Sequence, residues 1–268
     1  MFGSQTSKLK LRTAGIGVVG KDAFGDFVRA KLAESGMLMD YVTVDAGVKT
    51  GIGVALCKDN DRAILTYLGS IDRMDALNVQ EELFQQARHL HIGSYYLMRK
   101  LQPSFVEMAR KAKANGMTVS LDTNWDPDEN WDSGIWELLP YVDIFLPNEN
   151  ELKRITKQPT VGQALELLND VVPITVLKQG ERGAIAYSQG KAYPAEPLKV
   201  GVIDAVGAGD SFDAGFIYGY LSGFDVSTSV QIGCICGSMS TSKPGGVAGQ
   251  VREDELLRRL LKTLGEAG

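Results

Sequence analysis

The chain is poor in the side chains that form disulfides or bind transition metals. Its 268 residues include three cysteines, Cys57, Cys234 and Cys236, and two histidines, His89 and His91. An odd number of cysteines cannot pair completely, and disulfide frameworks are typical of much shorter secreted chains. These five residues also lack the spacing of a zinc motif. We therefore predict that all five side chains pack in the core.

Long apolar runs and clusters of positive charge are also missing. No stretch reaches the roughly 18 uninterrupted apolar residues of a membrane helix, and residues 1–13 lack the apolar core of a secretory signal. The formal net charge of −5 opposes binding to the phosphates of nucleic acids. The sequence therefore predicts a soluble, cytoplasmic protein that binds neither membranes nor nucleic acids.

The pattern of apolar residues predicts one α/β domain over residues 1–268. Short β-branched runs alternate with helical patterns, which indicates a mainly parallel sheet with helices on both faces, a three-layer αβα arrangement. No linker or internal repeat divides the chain. The predicted strands are 14–19, 88–92, 118–121, 143–146 and 174–177, and the predicted helices are 103–115, 161–169, 211–221 and 252–264.

One region departs from this alternation. Residues 51–57 and 62–67 flank the turn-forming sequence Lys58-Asp59-Asn60-Asp61. Two short strands around such a turn are typical of an antiparallel hairpin. We predict that residues 41–68, about this hairpin, form a small β lid inserted in the domain.

The segment most suggestive of chemistry is residues 204–210, with the sequence Asp-Ala-Val-Gly-Ala-Gly-Asp, just before a predicted helix. Its small residues leave backbone N–H groups uncovered at the positive end of the helix dipole, where an anion can bind. Asp210 lies in the first turn and could accept a proton from a hydroxyl that attacks a bound phosphoryl group. The alternative is an ordinary capping aspartate.

This segment resembles the Asp-Thr-x-Gly-Ala-Gly-Asp signature of the ribokinase-like (PfkB) carbohydrate kinases, with Ala205 in place of threonine. The helix that follows is similar as well, at Phe212, Ala214, Gly215 and Phe216. The resemblance implies a ribokinase-like fold and ATP-dependent phosphorylation of a hydroxyl on a small sugar or sugar derivative. It implies that Asp210 is the catalytic base and that the amides of Gly207, Ala208 and Gly209 form the anion hole.

The resemblance also implies sites for metal ions. Asn148 and Glu151 are similar to the family's Asn-x-x-Glu motif, in which the glutamate organises Mg²⁺ through water. The alternative for this pair is a helix cap with an acidic first turn. Asp204, with backbone of the 242–246 loop, resembles the family's site for a monovalent cation such as K⁺.

The nucleotide site is predicted mainly from the segment that follows the strand at 174–177. Lys178, Gly180 and Gly183 resemble the family's nucleotide loop, in which glycine lets backbone approach the phosphates and lysine supplies charge. Gly209 completes the phosphate side, and Cys234 stands where many relatives carry an adenine-side asparagine. The alternative for residues 178–183 is a plain turn between strands.

The predicted substrate residues are Thr50, Tyr95, Asp122, Asn124 and Asp210. Thr50 opens the hairpin as the family's lid does, Tyr95 follows a strand end, and residues 122–124 resemble the family's Asp-x-Asn element. Asp126 stands where several sugar-acid kinases carry an arginine. This difference argues against a substrate phosphate or carboxylate near that point.

The resemblance begins only near residue 11 and runs to residue 265. Family members normally begin with a strand bearing a substrate-binding Asp, followed by a Gly-Gly-x-x-x-Asn helix, so about 35 to 40 family positions, one βα unit, are absent. Without that strand, its neighbours expose backbone hydrogen-bonding groups. We therefore expect an N-terminally shortened kinase that phosphorylates sugar poorly, or a degenerate relative that binds nucleotide or sugar without turnover.

Two further expectations remain. Residues 15–20 read Gly-Ile-Gly-Val-Val-Gly, with Asp40 twenty positions on, as in NAD-dependent dehydrogenases. However, Ile16, Val18 and Val19 are typical of a buried strand, and Asp22 of a helix cap, which favours the kinase.

Because lids of the family often pair with a second subunit, a homodimer through the lid is also expected.

Overall fold

The structure is a computed structural model that describes residues 1–58 and 61–266. In these residues the α-helices are α1 (Phe2–Lys8), α2 (Ala23–Glu34), α3 (Leu83–Gln86), α4 (Phe105–Ala114), α5 (Ile135–Leu138), α6 (Glu149–Thr156), α7 (Val161–Leu168), α8 (Ala208–Leu221), α9 (Val226–Ser240) and α10 (Glu253–Glu266). The strands are β1 (Gly17–Gly20), β2 (Val42–Asp45), β3 (Ile52–Lys58), β4 (Asp61–Tyr67), β5 (His89–Ile92), β6 (Thr118–Leu121), β7 (Ile144–Phe145), β8 (Ile174–Lys178), β9 (Ala184–Ser188) and β10 (Lys191–Ala195).

The main sheet has six strands in the order β10-β9-β8-β7-β6-β5. Strands β5 to β8 are parallel, while β9 and β10 add an antiparallel edge. The predicted strands at 88–92, 118–121, 143–146 and 174–177 are confirmed to within two residues. The carboxyl ends of β6, β7 and β8 therefore lie side by side, which is where ligands bind in sheets of this kind.

Helices cover both faces of this sheet, because successive side chains of a strand point to opposite sides. Phe145 of β7 packs in a core with residues of α4, α5, α6 and α7. Its neighbour Ile144 packs in a second core with Phe212 and Phe216 of α8 and Val230 of α9. The predicted three-layer αβα fold with a mainly parallel sheet is confirmed.

The hairpin predicted between residues 51 and 67 is also confirmed. Strands β3 and β4 form a separate two-stranded antiparallel sheet in which Val54 lies opposite Leu65. Asp59 and Asn60 of the predicted turn lie outside the described residues, as does the side chain of Cys57.

The Gly-x-Gly-x-x-Gly pattern at residues 15–20 does not form a dinucleotide-binding turn. Its last four residues are β1, which pairs in parallel with β2. The strand predicted at 14–19 is thus confirmed in its second half, while Ala14 forms an isolated bridge with Leu38. Asp22 caps α2 by accepting the N–H of Gly25 at 2.9 Å. A dinucleotide site needs these glycines between a strand and a helix, so the fold does not support the dehydrogenase alternative.

The main sheet ends at β5, and β1 belongs to a different sheet. A cavity of about 610 Å³ lies between them, lined by Ala14 and Ile16 on one side and by His89 and His91 on the other. Helix α1 packs on α8 at the margin of this cavity, and Phe2 stacks on His91 with ring centroids 3.6 Å apart. In the described residues no strand pairs with the outer edge of β5.

Of the three cysteines and two histidines predicted to pack in the core, two cysteines are confirmed there. Cys234 and Cys236 are buried, and burial raises the pKa of Cys234 to about 12. His89 and His91 instead line the cavity, where their rings share the hydroxyl of Ser120 at 2.7 and 2.8 Å. Burial lowers the pKa of both histidines to about 3. No described helix is long and apolar enough to span a bilayer.

Candidate active site

The first turn of α8 presents uncovered backbone amides. Gly207 is the N-cap, in the left-handed region at φ 75°, and no side chain caps the helix. The N–H of Ala208, predicted to belong to the anion hole, instead donates to the carbonyl of Ala205 at 3.3 Å. Within the described residues, the N–H groups of Gly207, Gly209 and Asp210 have no protein acceptor, and Gly209 is exposed. Three free amides at the positive end of a fourteen-residue helix can bind an anion.

Asp210 lies beside these amides in the first turn of α8, which begins three residues earlier than predicted. Its side chain is half-buried and forms no hydrogen bond with any other described residue. Gly209 is exposed, and the side chain of Asp210 is not fully buried in packing. The carboxylate is therefore available to accept a proton from a bound hydroxyl.

Lys178, the last residue of β8, lies between two aspartates from other elements. Its Nζ is 3.0 Å from Oδ1 of Asp122 and 3.0 Å from Oδ2 of Asp213, and the three side chains are only 14%, 9% and 1% exposed. A methyl group placed on Gly209 would lie 3.7 Å from the same Nζ. The structure therefore brings the predicted lysine next to the predicted anion hole and joins it to the predicted substrate residue Asp122.

Burial and charge act in opposite directions on this cluster. Burial disfavours the ammonium of Lys178, but Asp122, Asp213 and Glu151 together raise its pKa above the ordinary value. Burial raises the pKa of Asp213 well above the ordinary range, and Lys178 opposes this effect. Burial likewise raises the pKa of Glu151. We conclude that Lys178 is a fixed positive charge.

Asn148 and Glu151 form a helix cap at the start of α6. The side chain of Asn148 accepts the N–H groups of Asn150 and Glu151 at 2.9 Å, and Oε2 of Glu151 accepts the N–H of Asn148 at 2.9 Å. This is a complete capping box, the alternative considered from the sequence. Glu151 has a second carboxylate oxygen, so the cap and a water-mediated role at a metal are compatible.

Asp204 connects the approach to α8 with the 242–246 loop. Its Oδ1 accepts the N–H of Val206 at 2.9 Å, and its Oδ2 accepts the N–H of Gly245 at 2.8 Å. Both oxygens thus already face N–H donors. A cation at this point would rely mainly on backbone carbonyls, which are the other ligands that the resemblance implies.

The predicted nucleotide loop is a 3₁₀ turn that joins β8 to β9. Gln179 and Arg182 both donate to the carboxylate of Glu149 in α6, which holds the loop against the first turn of that helix. A methyl group at Gly180 would meet open space, whereas one at Gly183 would overlap the carbonyl oxygen of Ala195. Gly183 is therefore required by packing, and only Gly180 leaves room for a ligand.

Cys234, predicted beside the adenine, does not present its side chain to a ligand in this structure. The thiol is 3% exposed and donates to the carbonyl of Ala195 at 3.5 Å. It packs in the core between α9 and the antiparallel edge of the main sheet. A direct contact of the sulfur with a nucleotide would require this core to open.

The predicted substrate residues do not all face one space. Tyr95 is 1% exposed and its hydroxyl donates to the carbonyl of Ser133 at 2.6 Å, so its side chain is part of the core. Thr50 is buried at the base of the lid. Asn124 is exposed, with a left-handed backbone at φ 58° and a hydrogen bond of 3.3 Å to Ser94. Only Asn124 and Asp210 therefore offer side chains that are free of tight internal contacts.

Asp126, which stands in place of a family arginine, organises the loop after β6. Its carboxylate accepts the N–H groups of Asp128, Asn130 and Trp131 at 2.7 to 3.0 Å, and its side chain is buried. The aspartate therefore stabilises a loop in which an arginine could not accept these bonds.

Sequence reasoning missed Asp213. It lies one helical turn after Asp210, on the face of α8 that is packed against the sheet. The signal was present, because between Asp210 and the end of α8 the only charged residue is Asp213. A lone carboxylate in an apolar helix is rarely buried unless it is paired.

Comparison with known proteins agrees with this geometry. Residues 6–252 match the sequence model of the pfkB family of carbohydrate kinases. An uncharacterized sugar kinase of Archaeoglobus fulgidus is 25% identical over 246 residues, covering 92% of this chain and 98% of that protein. A fructokinase of Vibrio alginolyticus is 24% identical, covering 94% and 87%.

Solved structures agree on the fold. An Escherichia coli protein provisionally named ribokinase II, solved with ATP and Mg²⁺, superposes with a TM-score of 0.86 at 26% identity, covering 98% of this chain and 87% of that one. A fructokinase of Xylella fastidiosa with bound ATP gives a TM-score of 0.88 at 20% identity, covering 98% and 89%. With a family match over most of its length and this fold, the chain belongs to the pfkB family of carbohydrate kinases.

Proposed function

We propose that this chain transfers the terminal phosphoryl group of ATP to a hydroxyl of a small sugar or sugar derivative, with Asp210 as the base. One observation carries the proposal. The amides of Gly207, Gly209 and Asp210 are free at the start of α8, the carboxylate of Asp210 lies beside them, and the charged Lys178 is next to Gly209.

The reaction follows from these positions. Asp210 accepts the hydroxyl proton as the sugar oxygen bonds to the terminal phosphorus, and the bond from that phosphorus to the bridging oxygen breaks to release ADP. Negative charge on the transferred group is stabilised by the free amides and by Lys178, in positions that are fixed before the reaction begins. Gly180 leaves space for the nucleotide phosphates, while direct roles for Gly183 and Cys234 stay predictions.

Mg²⁺ is the metal that the site's oxygen ligands suit. It would be held near Glu151 through water and would neutralise charge on the phosphates of ATP. The variant Glu151→Gln separates this role from helix capping, because glutamine also completes a capping box. We expect E151Q to unfold at nearly the wild-type temperature while needing a higher Mg²⁺ concentration for half-maximal activity. An unchanged requirement for Mg²⁺ would leave Glu151 as a cap only.

We infer a monovalent cation such as K⁺ at Asp204 and the 242–246 loop, which the structure brings into contact. Comparing the rate in KCl with the rate in tetramethylammonium chloride at equal ionic strength tests this site. Equal rates in the two salts would remove it.

The decisive variant is Asp210→Asn. It removes the base but keeps the shape of the side chain, so turnover should fall by about 100-fold or more, within the usual range for loss of a general base, while ATP binding measured by calorimetry stays near wild type. Asp225→Asn is the matched control, because Asp225 caps α9 and asparagine caps equally well. Turnover that survives in D210N would exclude Asp210 as the base.

A second candidate is a family member that binds nucleotide or sugar without turnover. The observation that favours it is the edge of β5, which pairs with no further strand in the described residues and borders a cavity of about 610 Å³. Calorimetry with ATP and Mg²⁺, with NAD and with a panel of sugars, followed by turnover assays, distinguishes the candidates. ATP binding with turnover supports the kinase, and ATP binding without turnover supports the second candidate.

We also infer a homodimer through the lid. In the hairpin, directly opposite residues and every second residue share a face, which places Val54, Leu56, Leu65 and Tyr67 together. These apolar side chains are 49% to 61% exposed. A contiguous exposed apolar face of this kind is typical of a surface that binds another protein.

A further inference from the structure

Asp213 is almost completely buried, and the only hydrogen bond of its side chain in the described part of the chain is to Lys178. Its side chain is 1% exposed, and Oδ2 accepts from Nζ of Lys178 at 3.0 Å. The other oxygen, Oδ1, is buried without a partner. The carboxylate is therefore held in an apolar helix by a single polar contact.

Such an arrangement costs stability. A buried charged group with an unpaired oxygen is unfavourable, and a buried ion pair is often no more stable than apolar residues of the same volume. Lys178 also has a second carboxylate, Asp122, at 3.0 Å, so pairing of the lysine does not require Asp213. The burial of Asp213 therefore indicates a role other than stabilising the fold.

The geometry suggests that this role is to orient the ammonium. Asp122 follows β6 and Asp213 lies in α8, so the two carboxylates hold Nζ from two separate elements. An ammonium has three N–H donors, and these two bonds leave one for a ligand. The ammonium held in this way lies beside Gly209, at the free amides of α8.

We propose that Asp213 is a positioning residue that, together with Asp122, holds Lys178 against the terminal phosphate of bound ATP. This inference rests on the proposed function and names a residue that acts only through Lys178. Other ionisable groups around Lys178 and Asp213 are Glu151 on α6, Asp210 on α8 and His91 on β5, whose lowered pKa leaves it neutral. Of the groups around Lys178, only Asp122 and Asp213 form hydrogen bonds with its ammonium in the described residues.

The first test compares nucleotide affinities of wild type and Asp213→Asn by calorimetry in Mg²⁺. The probes are ADP and the β,γ-imido analogue of ATP, which keeps the terminal phosphate. Removing a negative charge near a phosphate site should strengthen binding of both nucleotides if only net charge matters. Loss of orientation instead predicts that the analogue binds about 10-fold more weakly, the scale of one charge-assisted hydrogen bond, while the affinity for ADP changes less.

The second test is a double-mutant cycle with Lys178→Met. If Asp213 acts only through Lys178, D213N lowers the affinity for the analogue in the wild-type background and has little further effect in K178M. A purely structural role predicts the same loss in both backgrounds. Asp213→Glu keeps the charge and should restore part of the preference for the analogue. Asp225→Asn is again the matched control.

Several outcomes would overturn the inference. It fails if D213N binds the analogue as wild type does or more tightly, or if the losses of D213N and K178M add. If D213N does not fold, D213E and the double variant K178M/D213L still test the idea, because replacing a buried pair by apolar residues usually preserves folding. That double variant should bind the analogue no better than K178M alone. A wild-type chain that binds neither nucleotide would overturn the proposed function itself, and this inference with it.

Discussion

The hydroxyl of Thr50 donates to Oδ1 of Asp22 at 2.7 Å and accepts the N–H of Gly20 at 2.9 Å. Oδ2 of Asp22 accepts the backbone N–H of Thr50 at 2.9 Å. These bonds join the end of β1, the start of α2 and the base of the lid at one point. The hydroxyl of Thr50, predicted to contact substrate, therefore both donates and accepts a hydrogen bond that holds the lid to the domain.

The variant Thr50→Val keeps the shape of the side chain but removes both hydroxyl bonds. The N–H of Gly20 is then left unpaired in a buried position, so we expect a loss of about 1–3 kcal/mol in the free energy of unfolding. Urea denaturation measures it. Thr43→Val is the control, since Thr43 is exposed on β2. Equal stability of the two variants would show that the Thr50 contacts contribute nothing.

Asp22 should make folding sensitive to acid. Hydrogen bonds from the backbone of Thr50, the backbone of Gly25 and the Thr50 hydroxyl lower the pKa of Asp22 to about 2. The pKa of an unfolded aspartate is near 3.9, so the stabilisation is fully present above that pH and is lost as pH falls towards 2. In urea titrations between pH 6 and 2, Asp22→Asn should lose less stability than wild type over the lower part of this range, and Asp40→Asn, which changes an exposed aspartate, should follow wild type. Parallel curves for wild type and D22N would contradict this.

The sequence predicted the fold well because the decisive signals are local. Apolar runs such as 118–121 match the strands almost residue for residue, and the small residues before α8 indicated its exposed amides. The capping box of Asn148 and Glu151 was likewise visible as an Asn-x-x-Glu pattern at a helix start.

The sequence could not predict the orientation of individual side chains or the contacts between residues far apart in the chain. Lys178 meets Asp122, 56 residues earlier, and Asp213, 35 residues later, and no local pattern contains that pairing. Tyr95 follows a strand end, as many ligand-binding residues do, but its side chain turns into the core. Strand ends indicate where a ligand binds, whereas the side chain orientation at each position follows from packing.

Substitution by alanine should lower the melting temperature more at one glycine of the nucleotide loop, Gly183, than at the other, Gly180. Both have a positive φ, 84° at Gly183 and 59° at Gly180, so alanine is strained at either position. At Gly183 the added methyl group also overlaps the carbonyl oxygen of Ala195, which forces β9 and β10 to shift. We expect Gly183→Ala to lower the melting temperature well below that of Gly180→Ala. Equal melting temperatures would show that the loop adapts without disturbing the sheet.

The lid offers a paired test of the proposed homodimer. Leu65 lies on the apolar face of the hairpin and Thr66, its neighbour along β4, on the opposite face, and both are exposed. A lysine at residue 65 would place a charge within an apolar interface, so Leu65→Lys should shift sedimentation equilibrium from dimer to monomer. Thr66→Lys adds the same charge to the other face and should leave the dimer intact. A wild-type chain that sediments as a monomer at every concentration, or a dimer that both variants disrupt equally, would show that this face does not form the contact.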